Sequence, residues 1–202
     1  TAVINITSKK TEKREIVANF QSSLGTNQSQ EDQDYDINEF VNAVGINGTV
    51  DKFTYFAGFS NHFADGLSAA EKLPDDTSDI RFEDDAYSKF NVNARVGYAF
   101  STFFKIELFG SLDQYKNEFD NGAGADADND ALSRQLRGGF NAEYTYTNGS
   151  FVVNNSYSLL DRDFYADTYG TKNESRFYSF DVYNRYNFND MFYTVIGVNG
   201  SN

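Results

Sequence analysis

The residues best suited to chemistry lie in one short run, Asp126-Ala127-Asp128-Asn129-Asp130. Aspartates at alternate positions open calcium-binding loops, because hard oxygen ligands at that spacing can turn toward one cation. In an EF-hand the sixth position is Gly and the twelfth Glu. Here they are Ala131 and Arg137, so the run is not an EF-hand. Asp126, Asp128 and Asp130 stand as candidate calcium ligands, with a solvated acidic loop as the other reading. A denser segment holds Asp75, Asp76, Asp79, Glu83, Asp84 and Asp85. Its carboxylates could bridge divalent cations to lipopolysaccharide, contact a ligand, or simply keep a loop in water.

Other chemistry has little material to work with. The chain has no Cys, which removes thiolate nucleophiles, thiolate metal sites and disulfides. His62 is the single histidine, so His-based catalysis or metal binding lacks a partner. No P-loop, G-x-S-x-G or H-E-x-x-H is present. The chain is therefore not read as an enzyme, and no organic cofactor is expected. A net charge of −13 argues against nucleic acid, whose phosphates require clustered Lys and Arg.

The elements that carry these residues follow a period of two. Phe90, Val92, Ala94, Val96, Tyr98 and Phe100 alternate with Lys89, Asn91, Asn93, Arg95 and Gly97. Successive side chains of a strand point to opposite faces, so this is a strand with one apolar and one polar face. The same alternation predicts strands over 13–25, 37–48, 53–64, 87–100, 103–112, 134–146, 151–160 and 176–188, with a ninth starting after Asn189-Asp190. Phe56 breaks the pattern of the third strand. Aromatics reach 17 %, all Phe and Tyr, and there is one Pro, a composition suited to long strands. Asn47-Gly48 and Asn148-Gly149 predict tight turns.

Connections alternate between tight turns, near 50, 101, 148 and 189, and long loops over 26–36, 65–85, 113–133 and 161–174. Those loops hold 22 of the 30 acidic residues and 5 of the 17 basic ones. A soluble sandwich has no reason to place its acids at one end of every hairpin. An outer-membrane barrel has two unlike ends, with short periplasmic turns and long outer loops. Rings gather at the tight-turn end: Tyr98, Phe100, Phe103 and Phe104, then Tyr144, Tyr146 and Phe151, then Tyr186, Phe188, Phe192 and Tyr193. This resembles an interfacial girdle. No apolar run approaches 18 residues, so no transmembrane helix is expected. The expected fold is all-β, an antiparallel transmembrane outer-membrane β-barrel, with about nine strands of a larger one. The missing initiator Met and the strand-like final residues, Thr194 to Gly200, predict a piece of a longer chain.

The start of the chain supplies a further clue. Val3-Ile4-Asn5-Ile6-Thr7-Ser8-Lys9-Lys10 resembles the segment that closes the plug domain of TonB-dependent outer-membrane receptors, where V-I-N-I-I-T-K-K leads straight into the first barrel strand. Thr7 replaces the usual Ile and Ser8 the usual Thr. The resemblance implies that 1–10 end a plug domain and 11–202 begin a 22-stranded barrel. It implies energy-coupled uptake of a scarce large ligand (a siderophore–iron complex, cobalamin or a glycan), driven through TonB and its ExbB–ExbD partners. It also implies a bacterial outer-membrane location, with lipid and lipopolysaccharide around the wall. Some members of that family bind calcium through aspartates in their outer loops. A passive pore or small structural barrel is the alternative, as is a soluble β-module.

Overall fold

Alternation without interruption is what lets a chain run back and forth as one sheet. The computed structural model describes residues 15–27, 36–65, 68, 70, 77, 82–122, 124–166 and 169–202. Among them there is no helix, and the strands form one nine-stranded antiparallel sheet in sequence order. The strands are β1 (Ile16–Gly25), β2 (Glu39–Val50), β3 (Phe53–Ala64), β4 (Tyr87–Ala99), β5 (Phe104–Phe119), β6 (Asn129–Tyr146), β7 (Gly149–Ala166), β8 (Tyr169–Asn187) and β9 (Tyr193–Ser201). The plug-like residues 3–10 lie outside the described residues, as do most of 26–36 and Asp75, Asp76 and Asp79.

Several expected boundaries move. The loops expected over 113–133 and 161–174 are mostly strand, because β5, β6, β7 and β8 run to Phe119, Asn129, Ala166 and Tyr169. Cross-strand polar contacts hold these extensions: Lys116 pairs with Asp130 at 2.8 Å, and Arg134 Nε donates to Gln114 Oε1 at 3.0 Å. The turn expected at Asn47-Gly48 falls instead at Asp51–Lys52, where Asp51 takes a left-handed φ of 54°. Gly48 stays in the ladder opposite Tyr55, whose ring covers the place a Cβ would fill. The turn expected at Asn148-Gly149 falls at Thr147–Asn148, with Gly149 already in β7.

The register sorts every strand residue onto one of two faces. Direct antiparallel partners share a face, so one row runs Ile16, Gly48, Tyr55, Val96, Leu108, Phe140, Asn155, Phe180, Gly200. This row climbs away from the tight turns as it crosses the sheet. Gly48 is 2 residues from the end of β2 at Val50, while Phe180 is 7 from the end of β8 at Asn187. The drift is about one residue per strand. A rise of about 3.3 Å per lateral step of about 4.8 Å corresponds to a strand tilt of about 35°.

The apolar face carries Phe20, Val44, Phe59, Val92, Leu112, Leu136 and Leu159 in one row. Nothing among the described residues packs over it, and Phe20 is 75 % exposed. Among the described residues only Ala70 and Ala127, both in connections outside the strands, are buried hydrophobic side chains. The chain exposes 14807 Å² at 22.8 kDa, against about 9600 Å² for a compact monomer of that mass. This sheet has no core of its own.

Candidate functional site

Three regions of the sheet carry chemistry: the apolar face, the polar face, and the acidic connections at one end.

On the apolar face, the only charged strand residues among those described are Lys116, Glu118, Asp130, Arg134, Asp161, Asp163, Lys172, Glu174 and Arg176. All lie toward the acidic loops. Counted from the middle of the tight turn below, the last apolar residue below the level of the charges sits about 12 residues up in six strands: Phe40, Phe63, Phe90, Leu136, Leu159 and Tyr178; Leu132 and Tyr165 lie on the same face among the charges. In β5 it is Leu112, about 10 up. Below that level the face is free of charge. Some of its polar exceptions are paired locally: Ser22 Oγ donates to Asn42 Oδ1 at 2.8 Å, and Asn155 Nδ2 to the Tyr178 hydroxyl at 2.8 Å. From the first apolar or ring residue of each strand to that level is 8 residues in most strands and 10 in β2 and β3, so with the tilt included the charge-free apolar band is about 22–27 Å tall.

Rings close this band at the tight-turn end. Tyr98, Phe100 and Phe104 form one chain, with centroids 4.9 and 5.4 Å apart. Tyr144, Tyr146, Tyr186 and Phe188 form another, at 6.5, 6.4 and 4.9 Å. The Tyr146 hydroxyl also accepts from Asn184 Nδ2 at 2.8 Å, so the ring is buried on one side and hydrogen-bonded at its tip.

The polar face is a lattice of cross-strand pairs. Lys105 meets Glu143 at 2.6 Å, and Arg95 meets Glu107 at 3.5 Å. Asn91 Nδ2 donates to Asp113 Oδ1 at 2.7 Å, and Gln135 Nε2 to Ser158 Oγ at 3.0 Å. His62 is not isolated: its Nε2 lies 2.7 Å from Glu39 Oε1, and its ring meets Tyr87 edge-on at 5.0 Å. Phe56, the residue out of phase, lies on this face and shields Gly58, where a Cβ would come within 3.0 Å of its ring. Phe109 covers Gly139 in the same way, at 2.7 Å. A large ring over a glycine fills the gap left by the absent side chain and pins the register.

The acidic connections are tied together by a residue that the sequence did not single out. Asp120 Oδ2 accepts from Ala70 N–H at 2.6 Å and from Ser68 Oγ at 3.1 Å. Its Oδ1 accepts from Ala127 N–H at 3.0 Å. One carboxylate thus joins the β3–β4 and β5–β6 connections. Burial works against its charge, but the N–H groups of Ala127 and Ala70, with the Asp85 and Ser68 side chains, outweigh that and hold its pKa below the usual carboxylate range. Next to it, Glu83 is pushed up to about 7 by its hydrogen bond to Asp128, aided by desolvation and by the charges of Asp128, Asp126 and Asp120. Glu83 thus keeps its proton to higher pH than an ordinary carboxyl.

The three candidate calcium ligands do not form one cage. Asp130 belongs to β6 and turns to Lys116, whereas Asp128 turns to Glu83. Among the described residues no three acidic or histidine side chains converge closely enough to hold a metal ion. Comparison with protein-family models, curated proteins and solved structures returned no match.

Proposed function

We propose that this sheet is part of the wall of an outer-membrane β-barrel, and that the barrel belongs to a TonB-dependent receptor importing a scarce, large ligand. One observation supports the membrane reading above all. The apolar face is charge-free over a band of about 22–27 Å, and about 25 Å is the height of the lipid-facing zone in such barrels. A strand tilt of about 35° and rings at the tight-turn boundary fit the same setting. Water is a poor solvent for such a face, and lipid a good one. In lipid, the outer edges of β1 and β9 require partners, since no backbone N–H or C=O can stay bare there. Further strands of a longer chain would supply them.

The receptor reading rests on the resemblance of residues 3–10 to the end of a plug domain. The polar face, with its fixed lattice of Asn, Ser and ion pairs, then lines the lumen. TonB with ExbB–ExbD would drive transport from the periplasmic side, and the ligand would be a metal chelate, cobalamin or glycan. The residues Asp126, Asp128 and Asp130 offer no ready calcium cage, so no step is routed through a metal.

The test compares two behaviours of the intact protein. A plugged receptor inserted in a planar bilayer passes no steady ion current and is retained by an immobilised periplasmic domain of TonB. A passive pore conducts and is not retained. Conductance without retention would overturn the receptor reading in favour of the pore.

A further inference from the structure

We infer that the apolar face of β1, β2 and β3 is a contact surface for a second copy of this chain, centred on the amides of Asn42 and Asn61. The inference rests on the membrane reading above and adds a partner for one part of the lipid-facing wall. Direct pairing lines up Ser22, Asn42 and Asn61 across the three strands. This polar row lies inside the charge-free band, one same-face step below Phe40 and Phe63. Leu24, Phe40 and Phe63 stand above it, and Phe20, Val44 and Phe59 below it, all of them exposed.

Four asparagines occupy the apolar face of the described strands, and they fall into two kinds. Asn155 Nδ2 donates to the Tyr178 hydroxyl and Asn184 Nδ2 to the Tyr146 hydroxyl, both at 2.8 Å. Asn42 Oδ1 accepts from Ser22 Oγ, but its Nδ2 donates to nothing among the described residues, and the Asn61 amide has no partner among them. An amide left bare in lipid forfeits the hydrogen bonds that water would give it. The missing partner must come from outside the sheet. An acyl chain offers neither donor nor acceptor, whereas an amide carries both. Two such rows related by a two-fold axis therefore satisfy each other, amide to amide, while the flanking Phe and Leu side chains pack around them.

The test uses the intact protein in bilayers, each copy carrying one fluorophore, with photobleaching steps counted as the protein-to-lipid ratio rises. Wild type is expected to pass from one step to two. N42L/N61L should weaken the dimer by about 10- to 50-fold, the size of two to four side-chain hydrogen bonds in a membrane. Its stability to unfolding should stay at or above that of wild type, because leucine suits lipid better than an unpaired amide, and this separates a lost interface from a lost fold. N155L should keep the dimer, because the Asn155 amide is already bonded within its own sheet. One step at every ratio would leave the Asn42 and Asn61 amides to lipid and overturn the inference. An undiminished dimer in N42L/N61L, or an equal loss in N155L, would overturn it too. If the intact protein is stable in water without detergent, the membrane reading itself fails. If it requires detergent but stays monomeric, only the interface inference fails.

Discussion

The two faces of this sheet use the same backbone and have opposite chemistry. On the apolar face, neighbours contribute surface: Val, Leu and Phe rows stand uncovered, with Leu136 53 % exposed. On the polar face, neighbours contribute partners: Lys105 with Glu143, Arg95 with Glu107, Gln135 with Ser158. The difference shows where the stabilising solvent must be. A face without internal partners depends on what surrounds it, and a face with them carries its own order. The ladder and the polar lattice hold the sheet from within, and on the membrane reading proposed above lipid would cover the other face.

The largest expected effect breaks that contrast with one charge. Phe140 lies mid-band and Asn141 is the next residue on the other face. Phe140→Arg should destabilise the intact protein in bilayers by about 2–4 kcal/mol, while Asn141→Arg should cost under about 1. Equilibrium denaturant unfolding from lipid vesicles measures both. Equal costs would mean that the two faces share one solvent.

Glycines sharpen the comparison next. At Gly139, on the polar face, a Cβ would collide with the backbone oxygen of Asn155 and press on Phe109. Gly139→Ala should therefore cost about 1–3 kcal/mol. At Gly110, on the apolar face, the nearest atom to a Cβ is Arg137 O at 3.7 Å, ordinary contact distance. Gly110→Ala should fall within about 0.5 kcal/mol of wild type. The same unfolding experiment ranks them, and the reverse order would show that the register is wrong.

A smaller, local effect is expected at the loops. Asp120→Ala leaves the Ala127 N–H without its acceptor and the Ala70 N–H with only the Ser68 hydroxyl, at 3.2 Å. Their amide exchange should speed up by about 10-fold, with β5 and β6 unchanged. Exchange that stays at the wild-type rate would mean that Asp120 does not join the two connections.

The smallest effect is a pH dependence. Glu83 holds its proton more tightly in the folded loop, with a pKa of about 7. A raised carboxyl pKa gives stabilisation that is complete below the ordinary carboxylate range and is lost as pH rises through about 7. Local protection at Ala127, corrected for intrinsic exchange, should thus decline between about pH 5 and 7.5, and Glu83→Gln should flatten the profile. A flat wild-type profile would contradict the raised pKa of Glu83.

Much of this architecture was readable in the residues because alternation is a strong signal. Phe90 to Tyr98 and Leu136 to Tyr146 were placed on one face by period alone, and the register keeps them there. The same signal weakens outside the band. Beyond Leu112, Leu136, Leu159 and Tyr178 charged residues enter both faces and the strict alternation is lost, so 113–119, 129–133, 161–166 and 169–174 resembled loops while remaining paired strands. Asn47-Gly48 has the chemistry of a turn, yet the Tyr55 ring over Gly48 and the ladder beyond it displace the turn to Asp51–Lys52. Asp120 was one acid among many in its segment. Its role comes from reaching Ala70, 50 residues away in sequence, and no local pattern encodes that contact.

The central claim is that one face of every strand meets lipid and the other does not. The native chain has no Cys, so single cysteines can be placed along β6 from 135 to 143 and spin-labelled in the intact protein in bilayers. Positions 136, 138, 140 and 142 should be relaxed by oxygen, which partitions into lipid, and shielded from a water-soluble nickel chelate. Positions 135, 137, 139, 141 and 143 should not show that lipid signature. A two-residue alternation in oxygen access is the predicted result; uniform access to the nickel chelate at the even positions would contradict it.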